Sequence, residues 1–171
     1  MQTISIIAAH TQSRVIGKDG KIPWFNVEEI RKPDMKRFKD LTLNRTVIMG
    51  RKTYESLPEK FRPLPDRENI VLSRSEFFQP EQGVIVAKSL DEALRFASAI
   101  DLKEVFIIGG QQVFQQAMKK YASKMYLTEL KSEYEGDAFF PEFNREEWKE
   151  TSRVYHDFFD FVEYKRNYWH A

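Results

Sequence analysis

The chain has 171 residues, 42% of them hydrophobic and 31% charged, which is typical of one folded domain spanning residues 1–171. Its 27 Lys plus Arg balance 26 Asp plus Glu, so the net charge of +1 excludes a global field that would attract nucleic acid. The absence of cysteine excludes disulfide scaffolds, thiolate zinc sites and a thiol nucleophile, and we expect no metal ion.

The N-terminal stretch contains a short apolar run with no basic region before it, which is not the pattern of a signal peptide. No apolar run in the sequence is long enough to span a bilayer. These features favour a cytoplasmic protein whose partners are small molecules, with neither a membrane nor nucleic acid among them.

Short apolar runs alternate with helical patterns along the chain. Buried strands are predicted where the runs are rich in Val and Ile, at 3–9, 46–49, 69–73, 84–87 and 105–108. A capping box of Ser89 and Glu92 opens a helix up to Ile100, and the same periodicity predicts a helix over 111–120. Pro33 suits the first turn of an earlier helix, and a short helix is expected after Arg51.

The pattern changes after residue 124, where three late strands are predicted at 125–130, 151–156 and 161–169. The tight segment 157–160 joins the last two and indicates an antiparallel pair. Alternating strands and helices imply right-handed crossovers. We therefore expect an α/β fold: a doubly wound, mainly parallel eight-stranded sheet with an antiparallel C-terminal end, flanked by about four helices.

Two predicted strands end in glycine at the edge where such sheets bind ligands. Gly50 is followed by the cations Arg51 and Lys52, whereas Gly109 and Gly110 carry no charge beside them. Glycines allow a close approach of backbone, and cations pair with phosphate, so the two ends together favour a dinucleotide. Ser73-Arg74 at a third strand end would favour NADP over NAD. Plain turns and solvated surface charges are the alternative interpretation.

Asp34 lies four residues before Phe38 on the helix near Pro33, so an acid shares a face with apolar residues. Such an acid is costly unless it binds something, although it could simply favour the start of the helix. Glu28 and Glu29 precede it and could compete for the same role.

With these residues in place, the chain resembles dihydrofolate reductases along almost its whole length. The segments that carry the resemblance are Ile7-Ala8-Ala9, Val15-Ile16-Gly17, Ile22-Pro23-Trp24, Asp34 with Phe38, 47–53, Glu55-Ser56-Leu57, Pro63-Leu64-Pro65-Asp66-Arg67, Ile107-Ile108-Gly109-Gly110, Tyr126-Leu127-Thr128, Glu135-Gly136-Asp137 and Phe140-Pro141. Each motif is weak alone, and their joint order and spacing are specific.

The resemblance implies NADPH-dependent reduction of 7,8-dihydrofolate to tetrahydrofolate by a monomer that antifolates would inhibit. Asp34 would bind the pterin, with Ile22, Trp24 and Thr128 in the catalytic set. The substrate pocket would comprise Ile7, Ala8, Met35, Phe38, Ser56, Leu57, Leu64, Arg67 and Phe114. The cofactor would contact Ala9, Ile16, Gly17, Gly50, Arg51, Lys52, Thr53, Leu72, Ser73, Arg74, Lys88, Ile108, Gly109, Gly110, Gln111, Gln112 and Val113.

The resemblance also implies a cis bond between Gly109 and Gly110, and a mobile loop over 14–24 that Gly136 and Asp137 support. The segment 25–33 is longer than in the common bacterial pattern, and Phe114 stands where many relatives have Tyr. Two other functions stay open: an NADPH-dependent reductase of the riboflavin pathway with the same fold, and a non-catalytic nucleotide-binding domain. The presence of Asp34 and Arg67 favours the folate reaction.

Overall fold

The structure is a computed structural model that describes residues 1–101 and 103–168. Its centre is an eight-stranded sheet in the order β5-β4-β3-β6-β1-β7-β10-β9. The strands of this sheet are β1 (Thr3–His10), β3 (Thr46–Gly50), β4 (Glu68–Leu72), β5 (Ile85–Ala87), β6 (Glu104–Ile107), β7 (Lys124–Leu130), β9 (Trp148–Tyr155) and β10 (Phe159–Arg166). The pairs from β5 to β7 are parallel, and β10 pairs antiparallel with both β7 and β9. The expected fold class is confirmed.

Four α-helices flank the sheet in the described part of the chain: α1 (Glu28–Thr42), α2 (Arg51–Ser56), α3 (Leu90–Ile100) and α4 (Gln111–Lys120). The predicted bounds of α3 and α4 agree with the structure, and Ser89 caps α3 by accepting a hydrogen bond from the Glu92 amide at 3.1 Å. None of the described helices is long and apolar enough to cross a membrane.

The helices divide the hydrophobic core between the two faces of the sheet. Ala93 and Ala97 of α3 and Ala117 of α4 pack into a large cluster on one face, together with Ile6 and Leu127 of the central strands. On the other face, α1 and α2 cover a second cluster, which contains Ile7, Val47, Met49, Tyr54, Leu64, Val71, Phe106 and Tyr126. Because alternate residues of a strand face opposite ways, neighbours such as Ile6 and Ile7 serve different clusters.

The first long helix begins five residues before Pro33, so the prediction that Pro33 occupies its first turn is wrong. The extra turn is held by tertiary contacts, since Ile30 is buried beside Trp24 in a third apolar cluster. Arg31 also donates to the Phe25 carbonyl at 3.1 Å and lies over that ring. A proline forfeits one helical hydrogen bond, and here packing outweighs that loss.

The late strands lie earlier in the chain than predicted. Strand β9 begins at Trp148 and ends at Tyr155, and β10 begins at Phe159, so the turn between them is shorter than the predicted 157–160 segment. Trp169 lies outside the described residues. A small sheet of β2 (Val15–Gly17) and β8 (Ala138–Phe139) was not predicted, because two or three residues carry too little pattern.

A polar cluster fastens β9 to its neighbours. Arg153 donates to Asp160 Oδ2 at 2.8 Å, to Glu129 Oε1 at 3.1 Å and to Glu150 Oε1 at 2.6 Å. Asp160 is buried, and Arg153 with Lys131 lowers its pKa although burial acts in the opposite direction. The edge of the sheet is therefore joined by ion pairs as well as by backbone hydrogen bonds.

Candidate active site

Asp34 and Thr128 meet between α1 and β7. The Thr128 hydroxyl donates to Asp34 Oδ1 at 2.6 Å, a length typical of a hydrogen bond to a charged oxygen. Thr128 is buried and Asp34 half-buried. The structure thus brings together two residues that lie 94 positions apart in the sequence and were both assigned to the catalytic set.

Burial raises the pKa of the Asp34 carboxyl, while the hydrogen bond from Thr128 and the charge of Arg37 act to lower it. The competing acids are placed differently. Glu28 and Glu29 lie exposed in the first turn of α1, and Glu28 pairs with Arg31 at 3.4 Å and with Lys32 at 3.2 Å. Asp34 is therefore the acid of α1 with the environment of an active-site carboxyl.

Apolar residues assigned to the substrate share the second cluster near Asp34. Ile7 and Leu64 are buried in it, and Phe38 and Leu57 pack against it. Met35 and Ser56 are exposed on the helices beside it. The side chain of Ala8 packs against the cluster on the opposite face of the sheet, because it follows Ile7 in the strand.

Arg67 lies at the edge of this cluster. Its guanidinium donates to the Thr42 hydroxyl at 3.2 Å, its Nε donates to the Pro65 carbonyl at 2.8 Å, and it lies over the Phe38 ring. Asn69 holds the loop that carries it, through bonds to the Leu64 amide at 2.9 Å and to the Arg67 carbonyl at 3.0 Å. Sequence reasoning missed Asn69, whose signal was a polar residue in an apolar strand.

The glycines assigned to the cofactor meet at the carboxyl edge of the sheet. The Gly50 amide donates to the Gly109 carbonyl at 2.9 Å, and the bond between Gly109 and Gly110 is cis, as the resemblance implied. A Cβ on either residue of the pair would lie 3.4 Å from the Thr53 hydroxyl, and Gly109 has φ of +132°. Only glycine suits the positive φ of Gly109, and Gly50, Gly109 and Gly110 leave this stretch of backbone without side chains; we refer to this uncovered stretch as the groove.

Polar and basic groups surround that groove. Arg51, Lys52, Arg74 and Lys88 are exposed, and Ser73 and Leu72 are half-buried at the end of β4. Gly50 and Leu72 are partners in the β3–β4 register, so Arg51 and Ser73 leave the sheet side by side. Arg51 pairs with Glu55 at 2.8 Å, an exposed contact that a stronger anion can displace.

The start of α4 lies next to the same groove. Val113 is buried and Gln112 exposed; Val113 Cγ2 would lie 3.4 Å from a Cβ on Gly50. Gln111 accepts a hydrogen bond from the Phe139 amide at 2.8 Å, and Ile108 lies half-buried before the glycine pair. Phe114 packs beside Gly109 and Phe140 in the cluster on the α3–α4 face, across the sheet from Asp34.

The loop over 14–24 rests on the segment 135–139. The Asp137 carboxylate accepts from the Asp19 amide at 3.1 Å, and the Asp137 amide donates to the Gly17 carbonyl at 3.0 Å. Within this loop Ile22 is 50% exposed, whereas Trp24 is 3% exposed. Trp24 packs with Ile30, and Ala9 packs against that same cluster. Ile16 packs against the cluster on the α3–α4 face.

A doubly wound sheet with glycines at its carboxyl edge and a half-buried acid against β7 is typical of nucleotide-dependent enzymes of the α/β class. A family model described as dihydrofolate reductase matches residues 3–168. Dihydrofolate reductase from Haemophilus influenzae is 44% identical over 86% of this chain and 84% of its own length. The enzyme from Sus scrofa is 40% identical over 87% of this chain and 84% of its own.

Among solved structures, dihydrofolate reductase from Enterococcus faecalis, complexed with NADP(H) and RAB-propyl, superposes with a TM-score of 0.83. It is 34% identical, and the match covers 96% of both chains. This chain belongs to the dihydrofolate reductase family. The family expected from the motifs is confirmed, and so is the enzyme class.

Proposed function

We propose that Asp34 binds and orients the pterin ring while this enzyme reduces 7,8-dihydrofolate to tetrahydrofolate. The observation that carries the proposal is a half-buried carboxyl fixed by Thr128 at 2.6 Å beside an apolar cluster. A carboxylate accepts paired hydrogen bonds from a ring nitrogen and the adjacent amino group, which is what the 2-amino side of a pterin presents. Its oxygens together offer about four lone-pair sites, so Thr128 leaves room for both.

The cofactor is NADPH, in keeping with the NADP(H) bound to the Enterococcus faecalis relative. The residues fit it: Gly109 and Gly110 leave the backbone beside the Thr53 hydroxyl without side chains, so a ligand can approach it closely, and Arg51, Lys52 and Arg74 are exposed cations suited to phosphates. When bound, NADPH supplies the hydride that adds to C6 of the pterin. Thr53 and the amides at the start of α4 hold it in the groove.

The pterin N5 also needs a proton, and water is the donor in this proposal. Asp34 stays hydrogen-bonded to the 2-amino side of the ring, where it fixes and polarises the pterin. Because burial raises the pKa of Asp34, its carboxyl takes up a proton at a higher pH than an exposed aspartate does. Most of the acceleration comes from holding the two reacting rings in register between the apolar cluster and the groove.

Arg67 binds the α-carboxylate of the glutamate tail. Its guanidinium is fixed over Phe38 and by Thr42, which orients the fork before the substrate arrives. Ile22 and the loop over 14–24 cover the reacting rings from the solvent side, with Asp137 holding the loop in place.

Residues 1–171 work as one domain and as a monomer in the cytoplasm, without nucleic acid or a membrane as a partner. The near-zero net charge supports the absence of nucleic acid among its partners. Antifolates that present a protonated amino-pyrimidine ring would pair with the Asp34 carboxylate and compete with dihydrofolate.

The test is the consumption of NADPH, followed by the loss of its near-ultraviolet absorbance, with dihydrofolate as the acceptor. A pyrimidine intermediate of the riboflavin pathway serves as the comparison substrate. We expect turnover with dihydrofolate only. A wild-type enzyme that consumes NADPH with the pyrimidine and not with dihydrofolate would contradict the proposal.

Substitution of Asp34 by asparagine tests the assigned acid. We expect Asp34→Asn to lose at least about a hundredfold in turnover at neutral pH, because the amide cannot accept both hydrogen bonds from the pterin. NADPH binding, measured by protein fluorescence quenching, should stay unchanged. Glu28→Gln is the matched control; if it were the inactivating change, the assignment of Asp34 would be wrong.

A further inference from the structure

Arg37 lies one helical turn beyond Asp34 on α1 and points to the same part of β7. Its Cζ lies 4.4 Å from the centre of the Phe161 ring and 5.7 Å from that of Tyr126. Its Nη1 donates to the Leu127 carbonyl at 3.2 Å. Leu127 precedes Thr128, so the strand segment that supplies the hydrogen bond to Asp34 also fixes the guanidinium.

The guanidinium of Arg37 is held in place by these contacts and is only partly exposed to solvent. Its side chain is half-buried between two aromatic rings, which favours a guanidinium over a strongly hydrated ammonium. No carboxylate of the described residues lies within 4 Å of the guanidinium, so no contact ion pair neutralises its charge. The Cβ atoms of residues three apart on a helix are about 5–6 Å apart. At this range a cation stabilises the charged form of a half-buried carboxyl.

The other groups that face this pair come from three strands. Thr128 and Tyr126 of β7 face Asp34 and Arg37 respectively, and Glu163 of β10 attracts the guanidinium. Behind them, Tyr126 donates to Glu104 of β6 at 3.1 Å, and Lys124 lies 4.0 Å from Glu163. Glu163 is thus shared with Lys124, and the charge of Arg37 acts to lower the pKa of Asp34.

We propose that Arg37 is a positioning residue for the reaction: its guanidinium, fixed between α1 and β7, holds Asp34 as the anion that binds the pterin. This inference rests on the proposed role of Asp34. Sequence reasoning missed Arg37, although a cation between Asp34 and Phe38 on a partly buried helix face was the available signal. The lowering effect of Arg37 on the pKa of Asp34 is consistent with this role.

The experiment titrates Asp34 directly by carboxyl-carbon NMR and measures the pH profile of turnover with dihydrofolate and NADPH. In Arg37→Met we expect the proton affinity of Asp34 to rise about three- to tenfold, so that both its titration and the turnover profile move to higher pH. Arg37→Lys keeps the charge and should return both towards wild type. Lys36→Met is the matched control, since it removes a neighbouring positive charge that is exposed and paired with Asp40 at 2.6 Å.

The two measurements together distinguish the role of Arg37 from that of Asp34. If the titration of Asp34 is the same in wild type and Arg37→Met, the role of Arg37 is refuted while that of Asp34 stands. If Asp34 titrates at higher pH but the turnover profile does not move, the proposed role of Asp34 itself is overturned. A uniform loss of turnover at every pH would show that Arg37 is only structural. Arg37→Gln provides a second variant if Arg37→Met does not fold.

Discussion

Gly136 is the position where the structure predicts the sharpest effect of a single methyl group. A Cβ on this residue would lie 2.3 Å from Val15 Cγ1 and 2.6 Å from the Gly17 carbonyl oxygen. Ordinary contacts between carbon atoms are about 3.5–4.0 Å, so Gly136→Ala must push β2 away by more than about 1 Å. Val15 is 2% exposed and the Gly17 carbonyl accepts the Asp137 amide, so neither neighbour moves freely.

Overpacking of a buried contact costs about 1–3 kcal/mol, and we expect Gly136→Ala to lose about 2–3 kcal/mol because backbone is involved. Urea unfolding monitored by circular dichroism measures this as a lower midpoint with an unchanged slope. Turnover should also fall, because β2 belongs to the loop over 14–24.

Gly17→Ala is the matched control, because the Gly17 carbonyl is one of the groups that a Cβ on Gly136 would meet. Its Cβ would lie 3.5 Å from the nearest described atoms, which is an ordinary distance, so its stability should change by less than about 0.5–1 kcal/mol. If the two variants were equally stable, the argument that the close approach of β2 requires a glycine at position 136 would be refuted.

Three further predictions follow from charged groups. Arg67→Ala should raise KM for dihydrofolate about ten- to a hundredfold but not for a pterin without a glutamate tail, as steady-state kinetics would show. Arg153→Met should lower the free energy of unfolding by about 2 kcal/mol at neutral pH, as urea unfolding would show. Because Arg153 lowers the pKa of Asp160, this difference shrinks as falling pH protonates Asp160. Asp34→Asn should be more stable than wild type by about 0.5–2 kcal/mol at neutral pH, and thermal melts should show the gain vanish in acid. The sign follows because the folded state raises the pKa of Asp34: the loss of stability is absent below the pKa of the unfolded state, grows between the two pKa values and is complete above that of the folded state.

The sequence by itself determined the order of the main elements, the fold class and the family. The Val- and Ile-rich runs identified the strands of the parallel half, and Asp34, Arg67 and the glycine pair were assigned from their motifs. The strand predictions are confirmed because periodicity is a local property of a chain, whereas the roles assigned to Asp34, Arg67 and the glycine pair stay predictions.

Tertiary structure decided where α1 and the late strands begin and which groups act on Asp34. The turn before Pro33 depends on Ile30 packing beside Trp24, and the sheet β2–β8 depends on contacts between segments far apart in the sequence. Arg37 reaches Phe161 and Leu127 only once α1 lies on β7 and β10. Such contacts have no local signal, because their free energy arises only when distant segments bury surface and charge against each other.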